Sequence, residues 1–109
     1  DPRSQGKSTI TEIGNNFAQR GRDLAIFIDV LELDNIVIAG WSLGAYDAYS
    51  YFEQFGVEKI RAFVNIDMPP KVIQINEDDW SEGALDVVHG MYDAVLAPDQ
   101  PPFMQAYAH

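Results

Sequence analysis

Cysteine is absent from this 109-residue chain, which excludes disulfides, thiol nucleophiles and cysteine-ligated metals. The absence fits a reducing, cytoplasmic compartment, though only loosely. Histidine occurs only at positions 89 and 109. No His or carboxylate pair shows ligand spacing, so neither a metal nor a cofactor is expected. Basic residues are also scarce: 7 Lys and Arg stand against 17 Asp and Glu, a formal net charge of −10. A phosphate backbone would be repelled by that surplus, which excludes a nucleic-acid partner. No apolar run approaches the ~20 residues that cross a bilayer, so no membrane partner is expected either. There is no basic, apolar leader, and the chain begins with Asp1 rather than methionine; the expectation is a missing N-terminus.

What is present suits one small globular domain: 47% of the residues are hydrophobic and 12% aromatic. The acid surplus is uneven. Residues 71–109 hold seven acids and the single base Lys71, and the first 70 hold ten acids and six bases. The later stretch reads as a solvated face.

Residues 1–15 read as loop. From Asn16 to Glu32 the residues Phe17, Leu24, Ala25, Ile28 and Leu31 form a helical stripe, widened by Phe27 and Val30 as expected for a helix packed on a sheet. Asn15 or Asn16 is placed to cap it. Ile36–Ala39 has no polar alternation, the mark of a parallel strand covered on both faces. A helix then runs from Leu43 to Phe55 and ends at Gly56. Its Tyr46, Tyr49, Tyr51, Phe52 and Phe55 read as packing. Strand Ile60–Ile66 closes a β-α-β unit whose crossover should be right-handed, and Pro69-Pro70 stops it. Val72–Ile75 is short, strand or extended loop. Asp78-Asp79-Trp80-Ser81 reads as a helix start, with Trp80, Leu85, Val88, Met91, Tyr92 and Val95 following at helical spacing.

Between the first strand and its helix stands Gly40-Trp41-Ser42-Leu43-Gly44. A strand, an abrupt turn with serine at its tip, and a helix make this pentad specific. Glycine is expected on both sides of the serine because side chains there would collide with the crossing strand and helix. The serine is forced to positive φ, a state costing on the order of 1–3 kcal/mol that usually signals function. Ser42 is the candidate nucleophile.

This pentad resembles the nucleophile elbow of the α/β-hydrolases. Asp1-Pro2-Arg3-Ser4-Gln5-Gly6-Lys7-Ser8 is similar to that family's D-x-R-G-x-G-x-S loop, Arg22–Asp34 to the helix leading into the elbow, and Ile60–Asp67 with Met68-Pro69-Pro70 to the next strand and its exit. Ser4 stands where the family often has glycine, and so does Ala45. The resemblance runs over roughly the first two-thirds of the chain. It implies an α/β fold class: a fragment of the α/β-hydrolase fold, parallel strands with covering helices, plus the start of a helical cap. Residues 1–70 would be the central part of the core, with the elbow at 40–44, and residues 71–109 the start of the cap. It further implies a serine hydrolase acting on an ester or related acyl bond of a small molecule through an acyl-enzyme at Ser42, with the Leu43 backbone N–H as oxyanion donor. Two alternatives stay open: a non-catalytic binding module on the same fold, and an acyltransferase or perhydrolase-type member.

The family's triad histidine is not among these residues. His89 reads as a helix-surface or cap residue, and His109 comes too early. Asp67, at the carboxyl end of its strand, is a candidate acid, against a plainer reading in which it hydrogen-bonds backbone at the cap entrance. Asp47 and Asp23 read as helix-surface charges or local caps, and Glu77-Asp78-Asp79 as a solvated run. Gly6-Lys7-Ser8 resembles the end of a phosphate loop but lacks the earlier glycine and a preceding strand. The chain reads as an incomplete piece. Two strands and two helices leave open edges and apolar faces, so the rest of a hydrolase core or self-association is expected to cover them.

Overall fold

The computed structural model describes residues 1–79, 81–83, 85, 89, 90 and 93. It divides after Met68 into two compact units, Asp1–Met68 and Pro69–His109.

The first unit opens with a loop tied down by Arg3. Its Nε and Nη2 donate to the two carboxylate oxygens of Asp23 at 2.7 Å each, and Nη1 donates to the Ile13 carbonyl. Gln19 Nε2 adds a third donor to Asp23. The Asp23 carboxyl is therefore held below its usual range, chiefly by the Arg3 hydrogen bond. Ser4, where the resembling family often has glycine, sits at φ 59°. Its hydroxyl compensates by donating to the Thr11 carbonyl and accepting from the Thr11 N–H, both at 3.0 Å. The Lys7 amide and the Ser8 hydroxyl are taken up by Asp1.

Helix α1, Phe17–Val30, starts where Asn16 accepts from the Gln19 N–H at 2.9 Å. It ends in a Schellman arrangement: Glu32 N–H bonds to Asp29 C=O and Leu33 N–H to Ile28 C=O. The left-handed position there is occupied by Glu32, at φ 52°, rather than by glycine. The chain then forms strand β1, Ile36–Trp41, helix α2, Leu43–Phe55, and strand β2, Ile60–Ile66. Gly56 closes α2 at φ 79°. The strands are parallel, with Ile38 beside Phe63, Gly40 beside Asn65 and Trp41 beside Ile66.

Both helices lie over one face of this pair. Ala25 and Ile28 of α1 pack with Tyr51 of α2 against Ile36 and Ile60. Farther along, Ala45, Tyr46 and Met68 form a second cluster with Phe17, Tyr49 and Phe63. Aromatic rings join the two clusters: Tyr46 meets Tyr49, Tyr49 meets Phe63, Phe63 meets Phe52 and Phe52 meets Tyr51, with centroids 5.2–6.0 Å apart. The helices approach closely at Gly21, where a Cβ would stand 2.9 Å from the Ser50 carbonyl carbon. Arg20 Nη2 reaches Asp47 Oδ2 at 2.6 Å across the same interface. Asp47 is thus a half-buried bridge between α1 and α2, not a helix-surface charge.

Coverage of β1 on both faces is not what the structure shows. Alternation turns Ile36 and Phe63 to the helices and Val37, Ala39, Trp41, Ala62, Val64 and Ile66 the other way. On that side Val37 is 55% exposed, Trp41 71%, Val64 47% and Ile66 45%. The physical reason is that the described residues supply one helical layer. Phe27, Val30 and Leu31, expected in the packed stripe of α1, are likewise exposed, since among the described residues of this unit α1 packs chiefly against α2.

In the second unit, strands β3, Lys71–Ile73, and β4, Ser81–Gly83, pair in parallel. The expected helix start at Asp78–Ser81 is corrected here. The Asp79 carboxylate accepts from the Ile75 and Asn76 amides at 3.0 Å and from Lys71 Nζ at 2.7 Å, which makes a turn that returns the chain to β3. Asp79 is therefore engaged, not simply solvated. Leu85, His89, Gly90 and Asp93 are helical. The other positions of that helical pattern, Trp80, Val88, Met91, Tyr92 and Val95, lie outside the described residues, as do residues 94–109.

The pKa values of the two engaged carboxylates are displaced in opposite directions. Hydrogen bonds from Lys71 and the two amides hold Asp79 down to about 2, so its contribution is complete above pH 3.8 and lost as pH falls toward 2. Burial raises Asp47 above 3.8 by more than Arg20 lowers it, so its contribution is complete below that pH and is lost as pH rises through the elevated value. Carboxyl carbon shifts followed by NMR should give a midpoint about 2 for Asp79 and one above 3.8 for Asp47.

Candidate active site

The bend between β1 and α2 is produced by backbone crowding. A Cβ on Gly40 would lie 2.7 Å from Ala45 Cα and 2.9 Å from Ala45 N, so strand and helix approach within the space that only glycine leaves. Ala45 itself is fully buried at the head of α2. A chain entering along β1 and leaving along α2 must turn within one residue, and that residue is Ser42, at φ 51° and ψ −131°. A non-glycine residue held there stores strain on the order of 1–3 kcal/mol.

Backbone hydrogen bonds fix the bend from both sides. Ser42 N–H donates to the Ile66 carbonyl of β2 at 3.0 Å, and Ser42 C=O accepts from Ala45 N–H at 2.9 Å. The hydroxyl does not serve as a helix cap, and the residue is exposed. Leu43 is the first residue of α2, so its N–H has no acceptor within the helix and lies at the positive end of the helix dipole. An exposed hydroxyl beside an unspent amide is an arrangement suited to attack on a carbonyl carbon with the oxyanion taken up by N–H.

Gly44 differs from its sequence reading. A Cβ there would meet nothing within 4 Å, because this first turn of α2 faces an open groove beside β1. That groove holds about 730 Å³ and is bordered by the 1–11 loop, Leu24, Phe27, Ile38 and Ala39. Among the described residues, contact demands the glycine before the serine and not the one after it.

Of the other sequence candidates, Asp67 comes to the same sheet end as Ser42, one residue past the Trp41–Ile66 pair. It is exposed and strained, at φ 58°. The plainer reading, a backbone hydrogen bond made by Asp67, is corrected: among the described residues that task falls to Asn65. Its Nδ2 donates to the Met68 carbonyl at 2.5 Å and to the Tyr49 hydroxyl at 3.1 Å. Asn65 escaped the sequence reading, and its one signal was a polar residue among the apolar residues at the carboxyl end of β2. Asp23 and Asp47 are held by Arg3 and Arg20. His89 is exposed in the second unit, and His109 lies outside the described residues. Among the described residues, no group of three or more His, Asp or Glu side chains is placed to hold a metal ion.

The architecture at this point is α/β, with parallel strands, a strand–serine–helix bend and helices on one side, and it is compatible with part of an α/β-hydrolase fold. No protein-family model matches the chain. Over 108 residues the chain is 25% identical to a protein of Synechocystis sp. (strain ATCC 27184 / PCC 6803 / Kazusa) described as "Putative non-heme chloroperoxidase". The match covers 98% of the chain and 38% of that relative's length. This likeness agrees with the α/β-hydrolase resemblance at the level of the superfamily and no finer.

The two glycines give a direct check of the crowding. Gly40→Ala should destabilise by about 1–3 kcal/mol through overpacking, whereas Gly44→Ala should stay within about 0.5 kcal/mol. The midpoints of urea unfolding read both.

Proposed function

We propose that Ser42 is the nucleophile of a serine hydrolase that acts on an ester or related acyl bond of a small molecule. The observation that carries this reading is the Ser42 backbone, φ 51° and ψ −131°, locked between β1 and α2 with its hydroxyl uncommitted to capping. In the proposed reaction the Ser42 oxygen attacks the acyl carbon and its proton passes to a base. The Leu43 N–H stabilises the oxyanion, a donor of a kind whose removal costs about 3–4 kcal/mol of transition-state stabilisation. Collapse expels the leaving group, and water then releases the acid and restores the hydroxyl. The base is not assigned to any described residue.

The description of the Synechocystis relative as a chloroperoxidase supports a second reading of the same site. If hydrogen peroxide replaces water at the acyl-enzyme, the product is a peroxy acid, and the peroxide returns one proton to Ser42. Both readings need the same covalent step. Treating the full polypeptide that carries these residues with a fluorophosphonate should label Ser42, and Ser42→Ala should abolish the label; an unlabelled, folded protein points instead to a binding module. Peroxy-acid formation from a carboxylic acid and hydrogen peroxide, lost in the same variant, selects the second reading.

We also propose that residues 1–70 act as the central part of such a core, with 71–109 as the start of a cap. The bare face of Val37, Trp41, Val64 and Ile66 would then be covered by further hydrolase core or by self-association. The isolated 109-residue chain should accordingly associate in sedimentation velocity; a monodisperse monomer with a cooperative melt would overturn this.

A further inference from the structure

We infer that Asp67 is a specificity-determining residue of the Ser42 site, its carboxylate favouring acyl substrates that carry a cationic group close to the reacting bond. The inference deepens the reading of Ser42 as nucleophile and rests on it.

Placement comes first. Trp41 and Ile66 are the last register partners of β1 and β2, so the next residues, Ser42 and Asp67, leave neighbouring strands at the same edge. Adjacent strands lie about 4.8 Å apart, and the Ser42 N–H to Ile66 C=O bond of 3.0 Å keeps these two ends together.

Fixity comes second. Asp67 holds φ 58°, a conformation that persists only where the surroundings over-determine it. Both neighbours do so: the Ile66 carbonyl is held by the Ser42 N–H. Met68 is buried against Ala45 and Tyr46, and its carbonyl is held by Asn65 Nδ2. The residue between these anchors is exposed. Its strain serves no local contact: among the described residues its carboxylate accepts no hydrogen bond.

Charge comes third. Among the described residues the four ion pairs engage Arg3, Arg20, Lys59 and Lys71 with other acids, namely Asp23, Asp47, Asp29 and Asp79. Among the described residues, no cation lies within ion-pair distance of Asp67. A turn residue at positive φ could equally be glycine or asparagine, neither of which carries charge. The charge is therefore the property left to explain, and it is carried by the residue that leaves the strand next to that of Ser42. A carboxylate about 6 Å from a substrate cation at a solvated rim is worth a preference of ~5-fold, weakened by salt.

The test uses two fluorophosphonates of matched shape, one ending in trimethylammonium and one in the neutral tert-butyl group, on the full polypeptide that carries these residues. The ratio of their second-order labelling rates at Ser42, confirmed by peptide mapping, is the readout. The native protein should prefer the cationic probe, and 0.5 M salt should compress that preference. Asp67→Asn should lower the ratio about fivefold, and Asp67→Gly, which removes charge and strain together, should lower it equally. An unchanged ratio in Asp67→Asn overturns the inference while leaving Ser42 as nucleophile. Equal loss of labelling by both probes also overturns it, since Asp67 would then activate the serine rather than select its substrate. Absence of any label at Ser42 in the native protein removes the nucleophile reading and this inference together.

Discussion

The contact between Gly40 and Ala45 governs this unit. Strand and helix approach until a single methyl group would collide with the backbone opposite, and no gradual loop can fit between elements that close. The residue joining them must turn through a backbone conformation that costs energy. The strain at Ser42 is thus a consequence of packing rather than an independent feature, and the buried Ala45 shows how completely the space is filled. Hydrogen bonds to β2 and within α2 then keep the turn from relaxing.

Around that contact the rest is arranged to resist shear between the two helices and the strand pair. The Arg20–Asp47 bridge and the close approach at Gly21 join α1 to α2. The row of aromatic rings from Tyr46 to Tyr51 carries packing from the head of α2 to its tail. Arg3 pins the leading loop to α1 through both oxygens of Asp23. Each of these acts on the helical side of the sheet. The other side keeps the apolar side chains of Val37, Trp41, Val64 and Ile66 bare.

Much of this was legible from residue order. Local rules suffice for Asn16 as a cap, Gly56 as a stop, the unbroken apolar run of β1 and the serine at a strand–helix bend, because each depends on neighbours within a few positions. What stayed hidden depends on residues distant in the chain. Periodicity counts Phe27 and Val30 as core, but whether they are buried depends on elements that must lie beside them. Asp79 looked like a helix start by its position, yet Lys71 and two amides claim it for a turn. Gly44 matched a pattern without a contact behind it, and Asn65 carried a clamp that no spacing rule signals.

The exposed indole of Trp41 has an optical consequence. The chain carries two tryptophans, Trp41 and Trp80, and Trp41 immediately precedes Ser42 with 71% of its surface open to solvent. A fluorophore so placed emits at long wavelength when wet and shifts to the blue when an adjacent surface is covered. With Trp80 replaced by phenylalanine, the emission of this chain would come from a single reporter beside Ser42, and occupancy of that rim would be visible without a chemical tag.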